Sequence, residues 1–178
     1  MKIGIVSDTH GALEPTRSIF SFFEKEGVEL IIHVGDVLYH GPRNPIPPSY
    51  NPAELARFLS NFNGNLILIK GNCDSDVDEM VLGETLPPFF ALYVNELSII
   101  ASHIRENMVV KRYNLYIFGH THIPTFEKKE NFLFLNPGSP SLPKENHPPT
   151  FSLLDISKGE GYIFNAKDFN PWKEFRLR

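Results

Sequence analysis

Residues 3–7 (IGIVS) run into Asp8-Thr9-His10, and residues 31–35 (IIHVG) run into Asp36. Residues 66–71 (LILIKG) lead to Asn72, residues 97–102 (LSIIAS) to His103, and residues 115–119 (LYIFG) to His120-Thr121-His122. Each apolar run therefore ends in an oxygen or nitrogen donor able to ligate a metal. On extended backbone, residues i and i+2 project to one side. Asp8 with His10 can thus form one pincer, and His120 with His122 another. Seven such residues exceed the four ligands of a tetrahedral zinc and suit two ions that share a carboxylate. Asp36, with two oxygens and no pincer partner, is the natural bridge. Gly35, Gly71 and Gly119 precede three of the ligand positions, and Ser7 and Ser102 the other two, so the backbone can turn sharply there.

The elements that must bring these ends to one rim are legible as patterns. The first half alternates strand and helix. A strand over residues 2–7 precedes a helix expected from about Pro15 to Glu26, with Gly27 beyond its end and Ile19, Phe20, Phe22 and Phe23 as core. A strand over Leu30–Val34, a helix from Pro52 to about Asn61 capped by Asn51, and a strand over Leu66–Lys70 follow. Residues 72–82 read as a polar loop with a short helix. The intervening stretch 37–51, which holds Pro42, Pro45, Pro47 and Pro48, has no apolar periodicity, and so long a loop is usually functional or mobile. The second half is mostly strand. Residues 89–94 and 97–102 form a hairpin through Asn95-Glu96, Leu115–Phe118 is buried, and shorter strands cover 125–129, 132–135, 150–155 and 160–165. This mixture predicts an α/β fold of two sheets packed face to face with helices outside. The tail 167–178 is expected to pack on the body through Trp172, and residues 1–178 form a single domain.

Composition bounds the rest. A chain of 178 residues can bury roughly 70% of its unfolded surface in one core. A net charge of −4 and a pI near 6.0 give no strong nucleic-acid signal, since a large footprint needs a basic face. The single cysteine, Cys73, excludes an intramolecular disulfide and fits a reducing compartment. The apolar start is shorter than a signal peptide's core, and no run reaches the ~18 residues of a membrane span. A cytoplasmic protein without a membrane or lipid anchor is expected.

In this order, D-x-H, G-D, G-N, a strand-terminal histidine and G-H-T-H resemble the calcineurin-like metallophosphoesterases, over nearly the whole chain. SDTHG, GDVLYHGPRNPIP, GNCDSDVDEM, GHTH and LNPGSPSLPK are similar to the YfcE-like phosphodiesterase subgroup. The resemblance implies a four-layer αββα sandwich of two mixed sheets flanked by helices. By position it implies that Asp8, His10, Asp36 and His122 hold a first divalent ion, and Asp36, Asn72, His103 and His120 a second. Manganese is the ion the family commonly uses, and the mixed donor set also admits iron, nickel or zinc. The expected reaction is attack of a metal-bridging hydroxide on a small soluble phosphodiester, with Asp36, Asn72 and His103 as catalytic groups.

Two departures from the family pattern stand out. Where the wider superfamily places a histidine assigned to leaving-group protonation or substrate contact, this chain has Cys73, as is usual in the YfcE-like subgroup. Where a His-Gly-His string is usual it has His103-Ile104-Arg105, followed by a short loop. Asn72 can orient a phosphate oxygen through its amide. Arg43 can match phosphate with its guanidinium or pair with a carboxylate as a loop residue. Arg105 can add positive charge beside the substrate or point into solvent, and His40 is a further candidate in the Arg43 loop. Asn136 and Ser139 are expected to shape a turn beside the site. Asp74, Asp76 and Asp78 have calcium-like spacing without the EF-hand glycine or terminal glutamate, and read as a solvated acidic loop. The competing functions are a phosphomonoesterase or nuclease on the same fold, and a non-catalytic scaffold of the retromer-subunit type. The complete ligand set favours an enzyme. An exposed strand edge in the second half leaves room for a dimer or tetramer.

Overall fold

The computed structural model describes residues 1–108 and 112–177. In chain order the elements are β1 (Lys2–Val6), α1 (Leu13–Lys25), β2 (Leu30–His33), α2 (Pro52–Ser60), β3 (Leu66–Leu68) and α3 (Asp76–Leu82). The hairpin β4 (Phe90–Val94) and β5 (Leu97–Ala101) follows, then a 3-10 turn at Arg105–Asn107 and β6 (Leu115–Ile117). The rest is strand: β7 (Thr125–Lys129), β8 (Phe132–Asn136), β9 (Thr150–Asp155), β10 (Glu160–Asn165) and β11 (Pro171–Arg176).

Two mixed sheets result. One has the order β11-β10-β9-β1-β2-β3, the other β4-β5-β6-β8-β7. In the first, β1, β2 and β3 are mutually parallel; in the second, β5, β6 and β8 are. The sheets pack through alternate residues. Ile3, Ile5 and Ile32 from one meet Ile99, Ile117 and Leu135 from the other, all fully buried. Each contributes about 1.5–3 kcal/mol of burial. The residues between them point the other way, so Val6, Ile31 and Leu68 form a second core with Ile19, Phe20 and Phe23 of α1 and Leu55 of α2. Leu82 of α3 joins the same core, placing all three helices on the first sheet. The outer face of the second sheet carries Ile100, Tyr116, Phe118 and Phe134, and Met108, just after the 3-10 turn, packs into the same cluster with Tyr113 and Phe132 at its margin.

Some boundaries differ from those the sequence predicts. Helix α1 begins at Leu13, two residues before Pro15, with no side-chain cap at Ala12. Leu13 N–H instead donates to Ser49 O, so the long loop supplies a partner that local sequence does not show. Asn51 does cap α2, accepting from Glu54 N–H. Asn95 and Glu96 both have positive φ, as a tight two-residue hairpin requires. The tail is a strand rather than a loosely packed end. Phe175 stacks on Phe126 at 3.9 Å and Leu177 enters the core, while Trp172 stays 40% exposed.

Candidate metal centre

The carboxyl ends of β1, β2, β3, β5 and β6 meet at one rim, which is where parallel strands build sites. Glycine makes the approach possible. A Cβ at Gly71 would collide with Asp36, and one at Gly119 with Ser7 Oγ. Five of the candidate ligands adopt left-handed backbone: Asp8 (φ 54°), His10 (47°), Asp36 (56°), His120 (69°) and His122 (60°). Each such residue costs roughly 1–2 kcal/mol, so the surroundings must enforce it. Ser139 Oγ donates to Asp8 O (2.7 Å), Ser141 Oγ to Thr9 O (3.0 Å) and Thr9 Oγ1 to Val37 O (2.9 Å). Asn136 Nδ2 donates to Gly119 O (2.8 Å), fixing the second pincer as the turn residue it is expected to be.

Three imidazoles are locked in one tautomer. Nδ1 of His10 donates to Tyr39 O (2.7 Å), that of His122 to Leu142 O (2.6 Å) and that of His103 to Val34 O (2.7 Å). A carbonyl only accepts, so each neutral ring turns an Nε2 lone pair inward. Those nitrogens converge on carboxylate oxygens. His122 Nε2 lies 3.3 Å from Asp8 Oδ1, and His103 Nε2 lies 3.4 Å from Asp36 Oδ2. His10 Nε2 is 3.8 Å from Asp8 Oδ1 and 3.7 Å from Asp36 Oδ2, and 3.2 Å from His122 Nε2. The outer carboxylate oxygens are taken by donors: Asp8 Oδ2 by Ser7 Oγ and His120 N–H, Asp36 Oδ1 by Cys73 N–H. Among the described residues Asp8 Oδ1 has no hydrogen-bond partner, although it is buried.

Lone pairs facing lone pairs and carboxylates repel unless positive charge lies between them. Burial disfavours a charged His103, but hydrogen bonding to Asp36 and the charges of Asp8 and Asp36 outweigh it and push its pKa up to about 9. Burial would raise Asp36, yet His103 and the Cys73 N–H hold it well below the usual carboxylate range. Burial keeps His10 below the ordinary histidine value. A proton supplies the missing charge at one ring; a divalent ion supplies it to several donors at once. Asp8, His10 and His122 form one group able to hold a metal, and Asp8, Asp36 and His103 another. The donor set fits.

The other predicted residues are placed as follows. Asn72 Oδ1 stands 3.1 Å from His103 Nε2. His120 is exposed, its ring edge-on to His103 at 5.3 Å, and it belongs to neither group. Arg43, Asn72 and Cys73 line a cleft of about 550 Å³ over the centre, with His120 and His122. Arg105 is not there: its guanidinium covers Phe134 (4.3 Å) and Phe118 (5.4 Å) on the outer face of the second sheet and lies 4.0 Å from Glu127. His40 packs edge-on to Tyr39 and Tyr50. The end of the loop after His103 lies outside the described residues.

The solvated acidic loop needs correction at Asp74. Its carboxylate is only 6% exposed and accepts Asp36 N–H and Val37 N–H (2.8 Å each) and Gly71 N–H (2.7 Å), tying the two ligand loops together. Burial, with Asp36 nearby, pushes it up to about 6. Asp78 instead completes the capping box of α3 with the N-cap Ser75, and Asp76 faces Lys70. Sequence reasoning also missed Thr9, whose Oγ1 meets the fully buried His33 Nε2 (2.8 Å), and Ser141 and Lys144 in the stretch after β8.

The family model for the calcineurin-like phosphoesterase superfamily domain matches residues 1–159. Phosphodiesterase YfcE of Escherichia coli (strain K12) is 35% identical over 161 residues, covering 87% of this chain and 88% of the relative. Phosphodiesterase MJ0936 of Methanocaldococcus jannaschii is 28% identical, covering 90% and 96%. The solved structure of YfcE, described as a phosphoesterase from E. coli, superimposes with a TM-score of 0.93 at 30% identity over the whole of both chains. A zinc-complexed Vps29 from Entamoeba histolytica, at 17% identity and TM-score 0.67 over the whole of both chains, shares the fold alone.

Proposed function

Because the chain belongs to the calcineurin-like phosphoesterase superfamily, we propose that it is a metal-dependent phosphodiesterase acting on small diesters with two divalent ions, manganese foremost. The observation that carries this reading is the convergence of three tautomer-locked Nε2 atoms on the free oxygens of Asp8 and Asp36. Asp8, His10, Asp36 and His122 would hold one ion; Asp36, Asn72, His103 and His120 would hold the other. When bound, such ions lower the pKa of water and polarise a phosphoryl oxygen.

The chain's own groups do the rest. Carbonyls of Tyr39, Leu142 and Val34 keep the imidazoles aimed and basic. Asn72 presents its amide to a phosphate oxygen, and Arg43 offers the matching guanidinium fork at the cleft wall. Cys73 contributes no nucleophile, since burial and then the Asp36 charge push its thiol up to about 12. Without a histidine at that position the leaving group is poorly protonated, which favours acidic leaving groups such as aryl alcohols.

The test compares bis(p-nitrophenyl) phosphate with p-nitrophenyl phosphate, with and without manganese, alongside metal analysis. Manganese-dependent hydrolysis of the diester in preference to the monoester is expected. A preference for the monoester would make the protein a phosphomonoesterase, and inactivity on both with metal bound would favour the scaffold.

A further inference from the structure

Two cations face the cleft without partners. Arg43 and Lys144 both line it, both are exposed, and among the described residues neither side chain makes an ion pair or hydrogen bond. Among the described residues that line the cleft, Asp36, already committed to the metal centre, is the only carboxylate. The two cations come from different loops flanking one pair of ligands. Arg43 follows Tyr39, whose carbonyl holds His10, and Lys144 follows Leu142, whose carbonyl holds His122.

Charge balance separates their roles. A scissile diester brings one negative charge, and two divalent ions set against the carboxylates of Asp8 and Asp36 and the attacking hydroxide would already balance it. Arg43 has the planar fork suited to that phosphate, which leaves Lys144 in surplus. An ammonium is a point charge that accepts an anion from many directions. The cleft, at about 550 Å³, has the size of a small-molecule site and room beyond a bare diester.

We propose that Lys144 is a specificity residue that binds a second anionic group of the substrate, so that the preferred diesters carry a further phosphate near the scissile one. This rests on the phosphodiesterase reading above.

Two esters differing by one group test it: thymidine 5′-(p-nitrophenyl phosphate) and the same compound bearing a 3′-phosphate, both with the manganese-loaded protein. The 3′-phosphorylated ester should have a kcat/KM about tenfold higher, mainly through KM, the scale of one charged hydrogen bond. K144Q should collapse that ratio toward one and K144R should restore most of it. K158Q should keep it, because the turn at Lys158 follows Ile156, whose N–H meets Met1 O at the opposite end of β1. A wild-type ratio near one, a ratio that survives K144Q, or an equal loss in K158Q overturns the proposal and leaves the phosphodiesterase reading intact. Failure of both esters to react overturns that reading and the proposal with it.

Discussion

Asp8, His10 and His122 are at most 2% exposed, whereas Asn72 and His120, on the same rim, are open to solvent. On the closed side both imidazoles are clamped by carbonyls and a carboxylate oxygen already waits between them. On the open side only His103 is held this way, and His120 has yet to converge with it. Fixed, desolvated donors bind an ion with little further ordering, while mobile ones must surrender side-chain freedom first. An ion placed in the closed half should therefore be held tightly, and one placed in the open half should exchange where substrate enters.

The comparison breaks most severely at Asp36, whose free oxygen faces His10 of one half and His103 of the other. Asp36→Asn should lower diester hydrolysis about 1000-fold, the upper range for a lost catalytic electrostatic group, with circular dichroism unchanged. Two ions per chain and near-normal turnover in that variant would dissolve the idea of a shared carboxylate.

His103→Ala sharpens the contrast. It should cost about 100-fold in activity and remove the weaker of two manganese sites in a titration, while His10→Ala should remove the tighter. If both variants lost the same site, the halves would not be separate.

Beneath the closed half, burial holds His33 down to about 4. Between pH 4 and 6.5 the unfolded chain binds a proton that the native chain does not, so stability rises with pH there and is lost on acidification. Relative to wild type, His33→Leu should gain on the order of 2 kcal/mol between pH 7 and pH 4.5 in urea unfolding. Parallel pH dependences would show that His33 does not titrate in that window.

Cys73→Ser should change turnover by less than about tenfold, equivalent to ~1.4 kcal/mol. Complete inactivation of a folded, metal-loaded variant would make the thiol essential.

Sequence pointed to the candidate donors because ligand chemistry belongs to the side chain itself, and the apolar runs before them marked strand ends. It did not reveal that five of them stand in left-handed backbone, since aspartate and histidine do not advertise that conformation as glycine does. Asp74 was hidden because an acidic run looks solvated until the three N–H groups around it are known. Arg105 was open between substrate and solvent, and stacking on Phe118 and Phe134 is a long-range contact that no local pattern carries. The strand at 171–176 was masked by proline and basic residues, and only pairing with β10 and the stack on Phe126 define it.

His10 follows a strand of one sheet and His122 a strand of the other, yet their nitrogens meet 112 residues apart in sequence. An ion between them is therefore a cross-link, and in the unfolded chain it would close a loop of that length. Closing such a loop covalently is worth about 4–5 kcal/mol of chain entropy. The same ion that serves the chemistry would clasp the two layers of the sandwich, and the sheets could not part without releasing it.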